Sequence, residues 1–414
     1  MTRATGGDDA RPHVVVINRW REHYADYHRY LDHSTHRVTY ISTEIGLGSV
    51  PPTATDIALV DATDDLSQAR AALAELVSKY GPPHRIVALK EDDLLVGAQL
   101  REEWDVAGHR PADLLRFRDK FLMGQAIAAA GLPIPAFATV TGPESVLDFA
   151  DVHGWPVVLK PRIGSSSAGV VVLDGPAALA SFELTDEPML VQAFNPHPIH
   201  HVDGVFTGTD LACLRVSRYV NTCLGFREGS FLGSVEVDDP LVIGAVRAAA
   251  TDFLRALTDR PTPLHLEVFF DGETCTFLEV GARAGGSEIP FIWRDLHGYD
   301  LMRAAFDLQL GLEPQLPPTT RVVEVGGWLL IPAPAARPCR ITEVTSMVGG
   351  QPGPYAEALL GVGEILPEAD AYYEHVGGRF RFRGRSSAEV AEALEATAKG
   401  FRVSAEPVER VGAR

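Results

Sequence analysis

The chain has 414 residues, 46% of them hydrophobic and 22% charged, which is the balance of a folded protein long enough for two or three domains with cores of their own. Its formal net charge of −18 repels polyanions, which argues against a nucleic-acid-coating surface or adhesion to an anionic membrane; a nucleotide would have to be held by local cations. Cys213, Cys223, Cys275 and Cys339 form no C-x-x-C pair and no zinc-like spacing. With no signal peptide or long apolar stretch in view, a reducing, cytoplasmic location is the expectation.

After about a dozen residues of disordered character, the first third alternates short apolar strands with helical patterns. The strands are His13–Asn18, Arg37–Ser42, Asp56–Asp61 and Arg85–Leu89, and the helices lie near 66–79 and 92–103. Strands interleaved with helices predict a parallel sheet, so residues 1–110 are expected to be an α/β domain. No G-x-G-x-x-G follows the first strand, and nothing supports a dinucleotide site there.

A second unit, 111–320, opens with helical periodicity over Ala112–Ala130, where Leu114, Phe117, Phe121, Leu122, Ala126 and Ala129 form a stripe that stops at Gly131-Leu-Pro133. Lys120 sits beside it. A strand at Ala136–Val140, a helix near 143–153, the apolar run Trp155–Pro161 and strands at Gly169–Leu173 and Met189–Phe194 then predict a compact α+β module at about 136–195. Only five of the 37 basic residues are lysine, and one of them, Lys160, ends a strand just before Gly164-Ser165-Ser166-Ser167-Ala168-Gly169. A backbone free of bulk wraps phosphate oxygens with N–H groups, small hydroxyls add donors, and an ammonium adds a compact charge. Taken singly, a snorkelling strand-end lysine and an ordinary loop explain the same residues.

The acidic counterpart comes a hundred residues later. Leu264–Phe270 and Thr274–Val280 alternate like strands around Asp271-Gly272, a hairpin signal. Glu267 and Glu279 each stand mid-pattern. They share a face only if the loop has an odd number of residues, so a three- or five-residue loop is expected, and a strict two-residue turn would separate them. Two carboxylates so close repel unless a divalent cation joins them, and magnesium bridging to phosphate is the natural occupant, with manganese as a substitute. The bland alternative is a pair of solvated side chains. Gly281-Ala-Arg-Ala-Gly-Gly286 follows at once, and Arg283 in it is placed to stabilise charge developing on a transferred phosphoryl group. The cluster His197-Pro-Ile-His-His201 lacks a third well-spaced ligand for a metal.

The last segment, 321–414, reads as a small α+β piece, with a strand at Arg321–Ile331, another at Gly378–Gly384, and a Ser-started helix from Ser387. The four arginines between 379 and 385 are expected on an outward strand face.

In order, Asp119-Lys120, Val158-Leu-Lys-Pro161, the loop 164–169, Gln192-Ala-Phe194, His201-Val-Asp-Gly204, Leu266-Glu267 and Leu278-Glu-Val-Gly-Ala-Arg-Ala-Gly-Gly286 resemble the ATP-grasp carboxylate–amine ligases. The resemblance covers roughly residues 1–330. It implies ATP clamped between two α+β subdomains, one a lid near 136–195. It assigns Lys120, Lys160 and Gly164, Ser165, Ser166 and Ser167 to the phosphates, and Gln192, Ala193 and Phe194 to the adenine. Glu267 and Glu279 would hold magnesium, Arg283 with Lys160 would serve catalysis, and His201, Asp203 and Glu288 would face substrate. Three departures stand out. Gln192-Ala193 replaces an acidic pair, Ile199 falls where a ribose-binding glutamate is usual, and Gly281 replaces an asparagine near the metal.

The implied reaction joins a carboxylate to an amine through an acyl-phosphate, releasing ADP and phosphate, with amino acids as the expected substrates. A regulatory ATP-binding protein and a small-molecule carboxylate kinase remain open beside it, as do a homodimer and a carrier-protein acceptor.

Overall fold

The computed structural model describes residues 11–21, 23–313, 324–368 and 376–408. The chain divides into two compact units, Met1–Leu115 with Met302–Gln315, and Arg116–Leu301 with Leu316–Arg414. The expected three-part division at 110 and 320 differs from this in two ways. The helix Leu301–Leu310 falls almost wholly in the first unit, and the C-terminal segment belongs to the second.

In the first unit, four parallel strands run in the order Asp56–Leu59, Arg37–Ser42, His13–Asn18, Arg85–Ala88. The central strand is buried throughout because helices cover both faces of a parallel sheet. Val15, Ile17, Ile41 and Ile86 pack with Leu73 and Leu76 of the helix Leu66–Tyr80.

The second unit holds the remaining sheets. A four-stranded antiparallel sheet, Phe137–Thr139, Met189–Ala193, Val157–Pro161, Val171–Leu173, is backed by the helix Pro143–His153 through Val146 and Phe149. A larger, eight-stranded antiparallel sheet runs Cys275–Gly281, Thr262–Phe270, Ile199–Phe206, Leu211–Tyr219, Leu232–Glu236, Val325–Pro332, Val376–Gly384, Ala356–Leu359. One face of its C-terminal half is apolar: Val235, Leu329, Phe380 and Phe382 pack against Val390 and Leu394 of the helix Ser387–Gly400. The other face carries charge. Cross-strand register places Glu279, Glu267, His201 and Ser217 in one row and His265, Asp203 and Arg215 in the next.

Three expectations need correction. The helix expected over Ala112–Ala130 is two, Pro111–Leu115 and Lys120–Ala129. The Asp119 carboxylate accepts from the N–H groups of Phe121 and Leu122 and thereby starts the second. The strand expected at Arg321–Ile331 is Val325–Pro332, while Arg321 to Val323 lie outside the described residues. The hairpin loop, Asp271 to Thr274, has four residues, an even number. A β-bulge between Glu267 and Val268 supplies the missing odd residue, so Glu267 still stands opposite Glu279. No helix among the described residues is long and apolar enough to cross a membrane, and no disulfide joins the four cysteines.

Candidate active site

A cleft of about 770 Å3 lies between the small antiparallel sheet and the large one. Strand ends and loops bring its polar groups together. Lys160, at the end of its strand, is 5% exposed, and its Nζ donates to Gln192 Oε1 at 2.8 Å on the neighbouring strand. Lys120, in the first turn of its helix, donates to Gly164 O at 3.1 Å and lies 3.4 Å from Glu279 Oε2. Its place is fixed by Asp119, which also takes an ion pair from Arg162. Burial pushes the Lys160 ammonium down to about 8, with Glu279 opposing the shift and Lys120 adding to it.

The loop reaches the cleft through Gly164, Ser165, Ser167 and Ala168, whereas Ser166 turns its carbonyl out to accept from Arg227 Nε at 2.8 Å. Ser166 and Ser167 have φ values of 53° and 54°, a left-handed turn in which the Ala168 N–H donates to Ser165 O at 3.0 Å and the Val170 N–H to Ser167 O at 3.3 Å. Gln192, Ala193 and Phe194 line the far wall. Across from them, on the large sheet, Ile199 stands opposite Phe269 and lines the cleft with Arg218, Asn221 and Thr222.

Glu267 and Glu279 line the cleft from the same large sheet. Glu267 Oε1 accepts from Tyr219 OH at 2.8 Å and lies 3.5 Å from His265 Nε2. Burial acts to raise the Glu267 carboxyl, but the His265 and Tyr219 contacts bring it below the usual carboxylate range. Two carboxyl groups opposite each other, with an oxygen on each not engaged by these contacts, form a hard-oxygen donor set that fits a magnesium ion.

The other predicted site residues lie off this cleft. Arg283 follows the Glu279 strand, and its Nη1 donates to Ala284 O at 3.0 Å. His201 and Asp203 are each 1% exposed. His201 Nδ1 donates to Asp203 Oδ2 at 2.7 Å and His265 Nδ1 to Asp203 Oδ1 at 2.8 Å, while His201 Nε2 lies 2.7 Å from Ser234 Oγ. His201, Asp203 and His265 have ligand atoms within 4.8 Å of one another, but the imidazoles' inner nitrogens are spent on Asp203. His197 and His200 take no part. Burial would raise the Asp203 carboxyl, yet the two imidazoles hold it well below its ordinary range. Burial likewise opposes protonation of His265, and Asp203 lifts it to about 9.

Glu288 is 3% exposed, with Arg381 Nε 3.4 Å and Arg379 Nη1 3.8 Å from its oxygens. Burial raises its carboxyl, the arginines opposing. The expected outward face for these arginines is therefore half wrong. Arg379 and Arg381 share the charged sheet face and turn in toward Glu288, with Arg381 over the rings of Phe291 and Tyr355, whereas Arg383 and Arg385 are exposed. Sequence reasoning passed over Tyr219 and His265. His265 had a signal, because it stands two residues before Glu267 in an alternating strand and so must share its face.

Solved structures share this fold, and the chain has the ATP-grasp fold. The structure of an L-amino acid ligase from Bacillus licheniformis superposes with a TM-score of 0.73 at 17% identity, covering 95% of this chain and 98% of that one. A biotin carboxylase domain of 2-oxoglutarate carboxylase from Hydrogenobacter thermophilus, in complex with MgADP, ADP and bicarbonate, gives a TM-score of 0.67 at 13% identity, covering 95% and 90%. By sequence, an L-arginine-specific L-amino acid ligase of Bacillus subtilis is 23% identical over 276 residues, 62% of this chain. The chain spans 65% of that ligase's length. No protein-family model matches.

Proposed function

We propose that the protein is an ADP-forming carboxylate–amine ligase using ATP, with an amino acid or a related small carboxylate as one substrate. The observation that carries this is the convergence of two lysines and two cross-strand glutamates on one cleft large enough for a nucleotide. The amino acid ligases among the similar proteins support the substrate class.

Lys120 and Lys160 neutralise the phosphates, and the loop 164–169 covers them. Gln192 to Phe194 border the adenine. Glu267 and Glu279 would hold magnesium, which offsets phosphate charge when bound. A substrate carboxylate oxygen attacks the γ-phosphorus as the bond to ADP breaks. The amine then attacks the acyl carbon, phosphate leaves, and the amine proton is lost. Arg283, on the loop after the Glu279 strand and outside the cleft lining, is assigned by the family resemblance to charge on the acyl-phosphate. A covered cleft excludes water that would otherwise hydrolyse it.

A regulatory ATP-binding role is the second reading, favoured by Ile199 at the ribose position and Gly281 near the metal. A carboxylate kinase is separated by its indifference to amine. A cytoplasmic setting, a homodimer and a carrier-bound acceptor are compatible with this reading. The test is incubation with Mg-ATP and pools of amino acids and small carboxylates, with and without amines, followed by separation of ATP, ADP and AMP. ADP that needs both carboxylate and amine supports the ligase; AMP overturns the mechanism, and ADP without amine points to the kinase.

A further inference from the structure

Ser234, His201 and Asp203 have the hydrogen-bond order of a nucleophilic triad, at 2.7 Å and 2.7 Å. Space rules out that use. The cavity that Ser234 and Asp203 line measures about 10 Å3, which is room for about one water and no acyl substrate. The chain of bonds leads elsewhere. From Asp203 it continues through His265 Nδ1 at 2.8 Å, and His265 Nε2 faces Glu267 Oε1 at 3.5 Å. Asp203 also borders the arginine loop: a Cβ on Gly285 would come within 2.1 Å of Asp203 Oδ1.

Resting on the reading of Glu267 as a metal ligand, we propose that His265, oriented by Asp203, is a positioning residue that aims the Glu267 carboxylate at the cation. A carboxylate on a strand rotates about its terminal bonds. Tyr219 and His265 both address Oε1, so together they fix the plane of the group and leave Oε2 for the cleft. Asp203 fixes the imidazole in turn by holding Nδ1, and His201, anchored on Ser234, fixes Asp203. Outer partners of this kind set the orientation and affinity of ligands that touch a metal. Because Gly285 packs on Asp203, the same bridge sets how closely the Arg283 loop approaches the metal side.

The test compares His265→Asn, whose amide reproduces Nδ1 and keeps the Asp203 bond, with His265→Gln, whose amide reproduces Nε2 and keeps the Glu267 contact. Free Mn2+ is measured by electron paramagnetic resonance with protein and ADP, and metal-free ADP binding is measured by calorimetry. His265→Asn should weaken Mn2+ binding about 10- to 100-fold with metal-free ADP affinity unchanged, and His265→Gln should recover part of the loss. Tyr219→Phe, at the cleft wall, serves as a second probe should both His265 variants fail to fold, and a similar loss of Mn2+ affinity is expected from it. Wild-type Mn2+ affinity in folded His265→Asn overturns the positioning role alone, as does wild-type affinity in Tyr219→Phe if that probe is needed. Failure of the wild-type protein to take up Mn2+ with ADP overturns the metal reading of Glu267 and this inference with it.

Discussion

The Lys160 ammonium is held by the neutral amide oxygen of Gln192, 2.8 Å away in the interior, and not by a carboxylate. A carboxylate in that place would offset the charge before any nucleotide arrived. Gln192 satisfies one of the three N–H donors and leaves the charge for phosphate.

Lys160→Ala should therefore raise the ATP requirement about 10- to 100-fold, the loss expected for a hydrogen bond to a charged group. Titration of ATP in a steady-state assay measures it, and an unchanged requirement would remove Lys160 from the phosphate site.

The same ammonium predicts a pH dependence. Its pKa is lowered to about 8, so it is charged below that value and loses its proton as pH rises through it. Phosphate binds the charged form, so metal-free ADP affinity should fall between about pH 8 and 9.5, by up to ~10-fold per pH unit. Lys160→Gln should bind weakly with a flat profile over that range. Calorimetry at several pH values decides, and a wild-type affinity that rises with pH contradicts the assignment.

Glu279→Gln keeps the shape of the pair and removes a charge. Turnover should drop more than ~100-fold, beyond what loss of an outer partner costs, while far-ultraviolet circular dichroism stays unchanged. Near-normal turnover would dismantle the metal site.

Arg283→Ala should reduce kcat far more than it weakens ADP binding, by about 100-fold or more if the guanidinium acts on the transition state. Single-turnover kinetics with an ADP titration separates the two, and the reverse pattern would make Arg283 a nucleotide ligand.

Glu288→Ala removes a buried carboxylate shared by Arg379 and Arg381, whose side chains are 17% and 19% exposed, and leaves Arg381 its ion pair to Asp295 at 2.6 Å. Loss of such a charged contact costs about 1–3 kcal/mol, read as a lower urea midpoint at constant slope. Unchanged stability would mean that water replaces Glu288.

Local signals carried the sequence reading well where burial and period agree. His13–Asn18 and Arg37–Ser42 have the bounds their apolar runs suggest. The hairpin shows where such reasoning stops. Parity of the loop looked decisive, but a bulge is a tertiary accommodation with no composition of its own, and it restored the face that the four-residue loop would have flipped. Arg379 and Arg381 were misread because an alternating strand says which residues share a face and nothing about what covers it. Glu288 lies 91 residues before Arg379 and 93 before Arg381 in the chain. The Asp203 network was legible only in part, since the i, i+2 spacings His201–Asp203 and His265–Glu267 mark a common face, whereas their apposition depends on sheet register.

The eight-stranded sheet also bears on how the chain acquires its shape. Leu232–Glu236 pairs with Val325–Pro332, and Val325–Pro332 with Val376–Gly384. During synthesis the ligand-bearing strands emerge long before the partners that complete their sheet, so Leu232–Glu236 waits as an open edge able to recruit strands from other chains. Such distant pairing makes for slow closure. A fragment ending near residue 320 would keep every residue assigned to ATP and yet present that edge permanently, so it should come off the ribosome as an aggregate and not as a minimal enzyme.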